Sequence, residues 1–152
     1  LMCGFYLNEL LLRLLPREDP HENLFEYYSA TLKTLANGKD LATTLRRFEL
    51  KLLQELGYAI PLQHDVSNAQ ILENADYRYI AEHGATRLNG SSTRVNNGIQ
   101  LLGKTLIEMA NDNYSNVQTQ QQSKQLMRYL LAHYLGDKPL HTRQLLIDLQ
   151  GL

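Results

Sequence analysis

Apolar residues recur at steps of three and four along most of the chain, most regularly over LATTLRRFELKLLQELGY, residues 41–58. Leu41, Leu45, Phe48, Leu52 and Leu56 share one face of a helix at about 100° per residue. Asp40 stands where an N-cap belongs, and Gly57 follows as a residue free to turn left-handed. Beside the stripe, Arg46, Leu50 and Leu53 form a shoulder, while Arg47 and Lys51 face away. Two readings of that shoulder stand open. Either the leucines pack a neighbouring helix and Arg46 reaches out to water, or a basic group beside two leucines holds an acidic, apolar peptide. Glu49 lies about 40° from the centre of the stripe. A carboxylate there needs a partner, and Arg46 or a backbone N–H from another element would serve.

The same periodicity predicts further helices. Residues 3–15, CGFYLNELLLRLL, read as a helix ended by Pro16. Cys3, Leu7, Leu10, Leu11 and Leu14 form its stripe, with Phe5, Tyr6 and Leu12 elsewhere around it. A helix apolar on most sides is buried on most sides. The expectation is that a domain precedes it in a longer protein and covers Phe5, Tyr6 or Leu12. A second helix is predicted over 22–36, with Leu24, Phe25, Tyr28, Leu32 and Leu35 inward and Asn37-Gly38 closing it.

From residue 59 the pattern changes. The residue before Pro61 disfavours the helical region, so Ala59-Ile60-Pro61-Leu62 is extended. Residues 76–88 alternate around a His83-Gly84 turn and predict a β-hairpin, which must lean on helices for stability. Helix returns over 98–111, with Ile99, Leu102, Leu106 and Met109 inward, again after Asn116 to Leu135, and last over 142–149. The predicted fold is mainly α: one domain, 1–152, a globular bundle of about six helices with a hairpin and loop insert over 59–97.

At 152 residues and 43% hydrophobic, the chain is long enough to bury a core of that kind. Fifteen basic against sixteen acidic side chains leave a formal charge of −1, so any polyanion must be held by a local patch. One candidate lies towards the C-terminus. Residues 116–152 carry Lys124, Arg128, Lys138 and Arg143 against Asp137 and Asp148, with Lys124 and Arg128 one turn apart on a helix.

Cys3 is the only cysteine, which excludes an internal disulfide or a Cys-rich zinc site and fits a reducing, cytoplasmic setting. No apolar run approaches the roughly 20 residues of a membrane span, and no cleavable signal pattern is visible. Catalytic chemistry finds no purchase either. Cys3 has no charged neighbour to make a thiolate, His64-Asp65 and His21-Glu22 are adjacent pairs that cannot easily converge on one ion, and His83, His133 and His141 lack a helical partner. Phosphate-binding glycine motifs are absent. Neither enzymatic activity, nor a metal, nor a cofactor is expected.

Three segments, in order, carry a resemblance: YLNELLLRLLPREDPH at 6–21, LRRFELKLLQELGY at 45–58 and HYLGDKPLHTRQLL at 133–146. Together they resemble the C-terminal helical domain of the RecO family of DNA-repair and recombination mediators. Residues 66–120 match mainly in layout. The resemblance implies an N-terminal OB-fold that this chain lacks, as the apolar first helix had suggested. It implies a non-enzymatic protein that binds single- and double-stranded DNA, anneals complementary strands and, with RecR, loads RecA onto strands coated by single-stranded-DNA-binding protein (SSB).

The acidic tail of SSB, ending in an apolar residue, docks on members of the family. That implication favours Arg46, Leu50 and Leu53, with Arg47 outside them, as a peptide site. Lys124, Arg128, Lys138 and Arg143 are the corresponding expectation for DNA. The alternative is a purely structural module that scaffolds the OB-fold. Some members hold zinc through four cysteines between the central helix and the C-terminal helices. Residues 62–88 contain no cysteine, so packing must hold that segment here.

Overall fold

A computed structural model of the chain describes residues 2–14, 22–38, 40–90 and 97–135. They fall into two compact units. One comprises the residues up to Tyr58 together with those from Leu131, and the other comprises Ala59–Leu130.

The first unit is helical. α1 (Met2–Leu14), α2 (Glu22–Ala36) and α3 (Leu41–Glu55) follow the predicted periodicity closely. Cys3, Leu7, Leu10 and Leu11 are buried on α1, and Leu45, Phe48 and Leu52 on α3. Phe48 takes two rings from α2: Tyr27 stacks on it at 6.1 Å and Tyr28 tilts against it at 6.0 Å. Tyr58, just after α3, stacks on Tyr134 with centroids 3.9 Å apart.

Three expectations for these helices need correction. Tyr6, placed outside the stripe, is fully buried, because its hydroxyl has an acceptor inside the core. Phe25, predicted inward, is 56% exposed. Asp40 is the N-cap residue of α3 as expected, its carbonyl accepting the N–H of Thr44, but it lies in the left-handed region (φ 48°) and its side chain makes no capping hydrogen bond. The other end of α3 is as predicted. Gly57 is left-handed (φ 88°), Tyr58 N–H returns to Leu53 O at 3.0 Å and Gly57 N–H to Gln54 O at 3.1 Å, the paired bonds of a glycine-closed helix.

The second unit is built on a sheet. β1 (Asp76–Ile80) and β2 (Gly84–Arg87) are the predicted hairpin, but it is not isolated. β3 (Ile99–Leu102) pairs antiparallel with the other edge of β1, Tyr77 opposite Leu101, giving the order β2-β1-β3. The helix expected over 98–111 is therefore shorter: α4 is Gly103–Ala110. Its first residues are captured as strand because Ile99 and Leu101 also alternate, and an open strand edge rewards that alternation with a ladder of hydrogen bonds.

α5 (Val117–Leu135) begins where Asn116 Oδ1 accepts the N–H of Gln118 at 2.8 Å. The described residues thus hold five helices and three strands. The predicted helix over 142–149 lies outside the described residues.

Hydrogen bonds tie the segment between Pro61 and Ala75 to the sheet and to α4. The core-facing tyrosines of β1 reach out to it: Tyr79 OH donates to Pro61 O at 3.1 Å, and Tyr77 OH accepts the N–H of Leu72 at 2.8 Å. Gly103 and Lys104 N–H groups at the start of α4 donate to the carbonyls of Ala75 (2.8 Å) and Glu73 (3.0 Å). Asp65 closes the short loop before them, accepting from Ser67 Oγ and from the N–H groups of Ser67 and Ala69. The Ser67 hydroxyl, with those two N–H groups, holds the Asp65 carboxyl below its ordinary range.

Candidate functional site

The shoulder of α3 is the first place to look, and its chemistry lies inside the core. Arg46 is 2% exposed and Glu49 is fully buried. One turn apart on the helix, they form an ion pair in which Arg46 Nη1 donates to Glu49 Oε1. The other carboxylate oxygen accepts the hydroxyl of Tyr6 from α1. Arg46 therefore does not reach out to water; the partner that Glu49 required is Arg46, together with a phenol.

The guanidinium is not fully satisfied. Its Nη2 is buried without a hydrogen-bond partner. A buried donor in that state forfeits its hydration, about 1–3 kcal/mol and more when charged. Leu50, at 9% exposure, sits at the margin of the core, and Leu53 is wholly inside it. Arg47 is exposed. Lys51 is engaged by Glu55 at 3.0 Å.

A second surface belongs to α1 and α2. Phe5 (56%) and Leu12 (75%) stay exposed on α1. Phe5 lines a groove of about 430 Å³ with Tyr28, Leu32 and Leu35. No charged side chain contributes to that lining among the described residues.

The basic residues proposed for DNA are split. Lys124 and Arg128 lie on α5, both partly exposed and each with an interaction partner. Lys138 and Arg143 lie outside the described residues.

Burial pushes the Cys3 thiol up from its ordinary pKa. Among the described residues no three His, Cys, Asp or Glu side chains gather as a metal cluster. None of the described helices is long and apolar enough to cross a membrane.

Sequence reasoning missed Tyr6 as the third member of the buried cluster. Its only signal was a polar atom on a mostly apolar helix, and that cannot say which residue lies opposite.

Comparison with known proteins covers the whole arrangement. Residues 1–144 match the family described as Recombination protein O C terminal. A protein of Nitrosospira multiformis named DNA repair protein RecO is 51% identical over 153 residues, covering 100% of this chain and 62% of that protein. Proteins of the same name from Azoarcus sp. and Cupriavidus metallidurans are 45% and 47% identical, again over the whole chain, and it covers 63% and 51% of them. The chain thus spans roughly half to five-eighths of the length of these curated relatives.

Proposed function

The chain belongs to the RecO family, matching its C-terminal region, and from that premise we propose that it is the helical part of a DNA-repair and recombination mediator. The observation that carries this reading is a match running through residues 1–144 rather than through one motif. The protein works by binding rather than by catalysis, in the cytoplasm, with DNA, RecR and SSB as partners. An OB-fold in cis is the natural cover for Phe5 and Leu12, whose exposed rings and methyl groups cost hydration in isolation.

The SSB tail docks on the shoulder of α3. What supports this is the unpartnered Nη2 of Arg46, a buried donor that a carboxylate would satisfy, with Leu50 at the edge of the same face for an apolar terminal residue. Docking requires the cover over the guanidinium to part, and the relief of that donor offsets the opening.

Titration of an acidic peptide ending in Phe tests it. Arg46→Ala should weaken binding by about 1.5–3 kcal/mol, the scale of a charge-assisted hydrogen bond. Arg47→Ala should cost on the order of 0.2–1 kcal/mol, as an exposed charge does. Arg46→Ala also strips Glu49 of its partner, so each variant is compared only at temperatures where circular dichroism shows it folded. Equal losses would leave general electrostatics and remove the pocket.

DNA is held through Lys124, Arg128, Lys138 and Arg143. Phosphate contacts release counterions, so log affinity should fall linearly with log salt, by roughly 0.7–0.9 per contact. Replacing Lys138 and Arg143 together should flatten the slope by about one to two units. An unchanged slope would move the DNA surface off this region.

A further inference from the structure

The second unit carries a small pocket that neither peptide docking nor phosphate contacts use. It has a volume of about 250 Å³ and lies between the loop around His64 and the C-terminal end of α4. Ile71 and Ile107 are part of its aliphatic floor. Its rim is Gln63, His64, Gln70 and Asn111. None of the described lining residues carries a carboxylate, an ammonium or a guanidinium, so an anion entering would find no counter-charge.

The rim is also pre-set. His64 and Gln70 are cross-strand partners in an isolated antiparallel bridge. Ile71 N–H donates to Gln63 O at 3.1 Å and Asp65 N–H to Ala69 O at 2.8 Å, while the Asp65 carboxylate takes two more N–H groups from the turn. The loop's backbone is thus tied at both sides of His64, yet none of the four rim side chains spends its polar atoms on a hydrogen bond within the described residues.

Three carboxamides and an imidazole over an aliphatic floor select a particular ligand. Carboxamides pair donor and acceptor edges in one plane, the imidazole offers a stacking face, and the aliphatic floor takes a flat apolar surface. With no cationic side chain among its described lining residues, the pocket favours a neutral flat ring over a phosphate. We propose that this pocket seats an unpaired nucleobase, read by its edge through Gln63, Gln70 and Asn111 and covered by His64. The base comes either from a single strand or from a free nucleoside, and the two sources differ in measurement.

The experiment uses adenosine and a short oligodeoxyadenylate carrying one 2-aminopurine, with an oligomer of the same length that is abasic at every position as control. His64 is followed by the chemical shifts of its ring protons. The expected result is a saturable His64 shift with adenosine, and with the oligomer a change in 2-aminopurine emission that the abasic strand does not compete away.

Gln63→Ala with Asn111→Ala, both at exposed positions, should lower affinity for the base about ten-fold, within the range of one lost bidentate contact. Their effect on abasic-strand binding should be nil. Ala110→Phe, which fills the pocket, should abolish the His64 shift. Response to adenosine alone would make the source a free nucleoside; response to both would make it a strand. A His64 ring indifferent to either probe overturns the proposal, as does a double variant that binds the base as tightly as the parent. Phosphate-driven binding of the abasic strand is read separately, so failure here leaves the mediator reading standing.

Discussion

Glu49→Ala should destabilise the helical unit by about 3–5 kcal/mol, the usual consequence of removing one partner from a buried ion pair. Glu49 is fully buried and answers two groups, Arg46 Nη1 on its own helix and the Tyr6 hydroxyl from α1. Without it, a guanidinium already short of one partner at Nη2 loses its ion pair as well. The charge itself is then the cost, because Arg46 is only 2% exposed and has little water to turn to.

Removing both ends tests that explanation. Tyr6→Phe with Arg46→Met and Glu49→Leu replaces these three polar side chains by apolar groups of similar size. Such replacements of buried pairs are often neutral or stabilising by about 1–4 kcal/mol. Urea unfolding should therefore find the triple variant more stable than Glu49→Ala. A triple variant as unstable as the single one would mean that side-chain volume, not stranded charge, controls this part of the core. A stable triple variant that no longer takes the SSB-type peptide would show a polar cluster retained for binding at the expense of stability.

The helical unit was largely legible in the sequence because its signals are local. The periodicity of α3, its closing Gly57 and the need of Glu49 for a partner all lie within eighteen residues. The unit built on the sheet was less so. Strand pairing sets Tyr77 opposite Leu101, and the Tyr79 hydroxyl meets the carbonyl of Pro61 from an earlier segment; no spacing rule announces such meetings.

The residues singled out for binding show the same division. Sequence alone could set Arg46 beside Leu50 on one shoulder, but not tell how deep the shoulder lies. Depth depends on α1, which contributes Tyr6 from 43 residues away. The pocket rim escaped notice because carboxamides scattered over 63–111 look like ordinary surface until a loop and a helix end face each other.

Gly103→Ala should be the most damaging single substitution in the second unit, lowering stability by about 4 kcal/mol or more. Intrinsic propensity predicts the opposite sign. Alanine is better than glycine in a helix by about 1 kcal/mol, and Gly103 is a helical residue. Space decides against it. A Cβ at Gly103 would lie 1.8 Å from the carbonyl oxygen of Leu72 and 2.9 Å from the ring of Tyr77.

The first contact is backbone, which no rotamer change relieves, so the 72–75 turn and α4 must separate. That separation breaks the hydrogen bonds from Gly103 to Ala75 O and from Lys104 to Glu73 O, and with them the bond from Leu72 N–H to the Tyr77 hydroxyl. Gly4→Ala is the internal control. Among the described residues its Cβ would meet only Leu32 Cδ2 at 3.5 Å, an ordinary contact, so there helix propensity should win and stability should rise by a few tenths to about 1 kcal/mol. Urea unfolding of the two variants should therefore move the midpoint in opposite directions. If Gly103→Ala matches Gly4→Ala in sign, the close approach of the 72–75 turn to α4 does not exist, and what clamps this segment must be sought in the tyrosines alone.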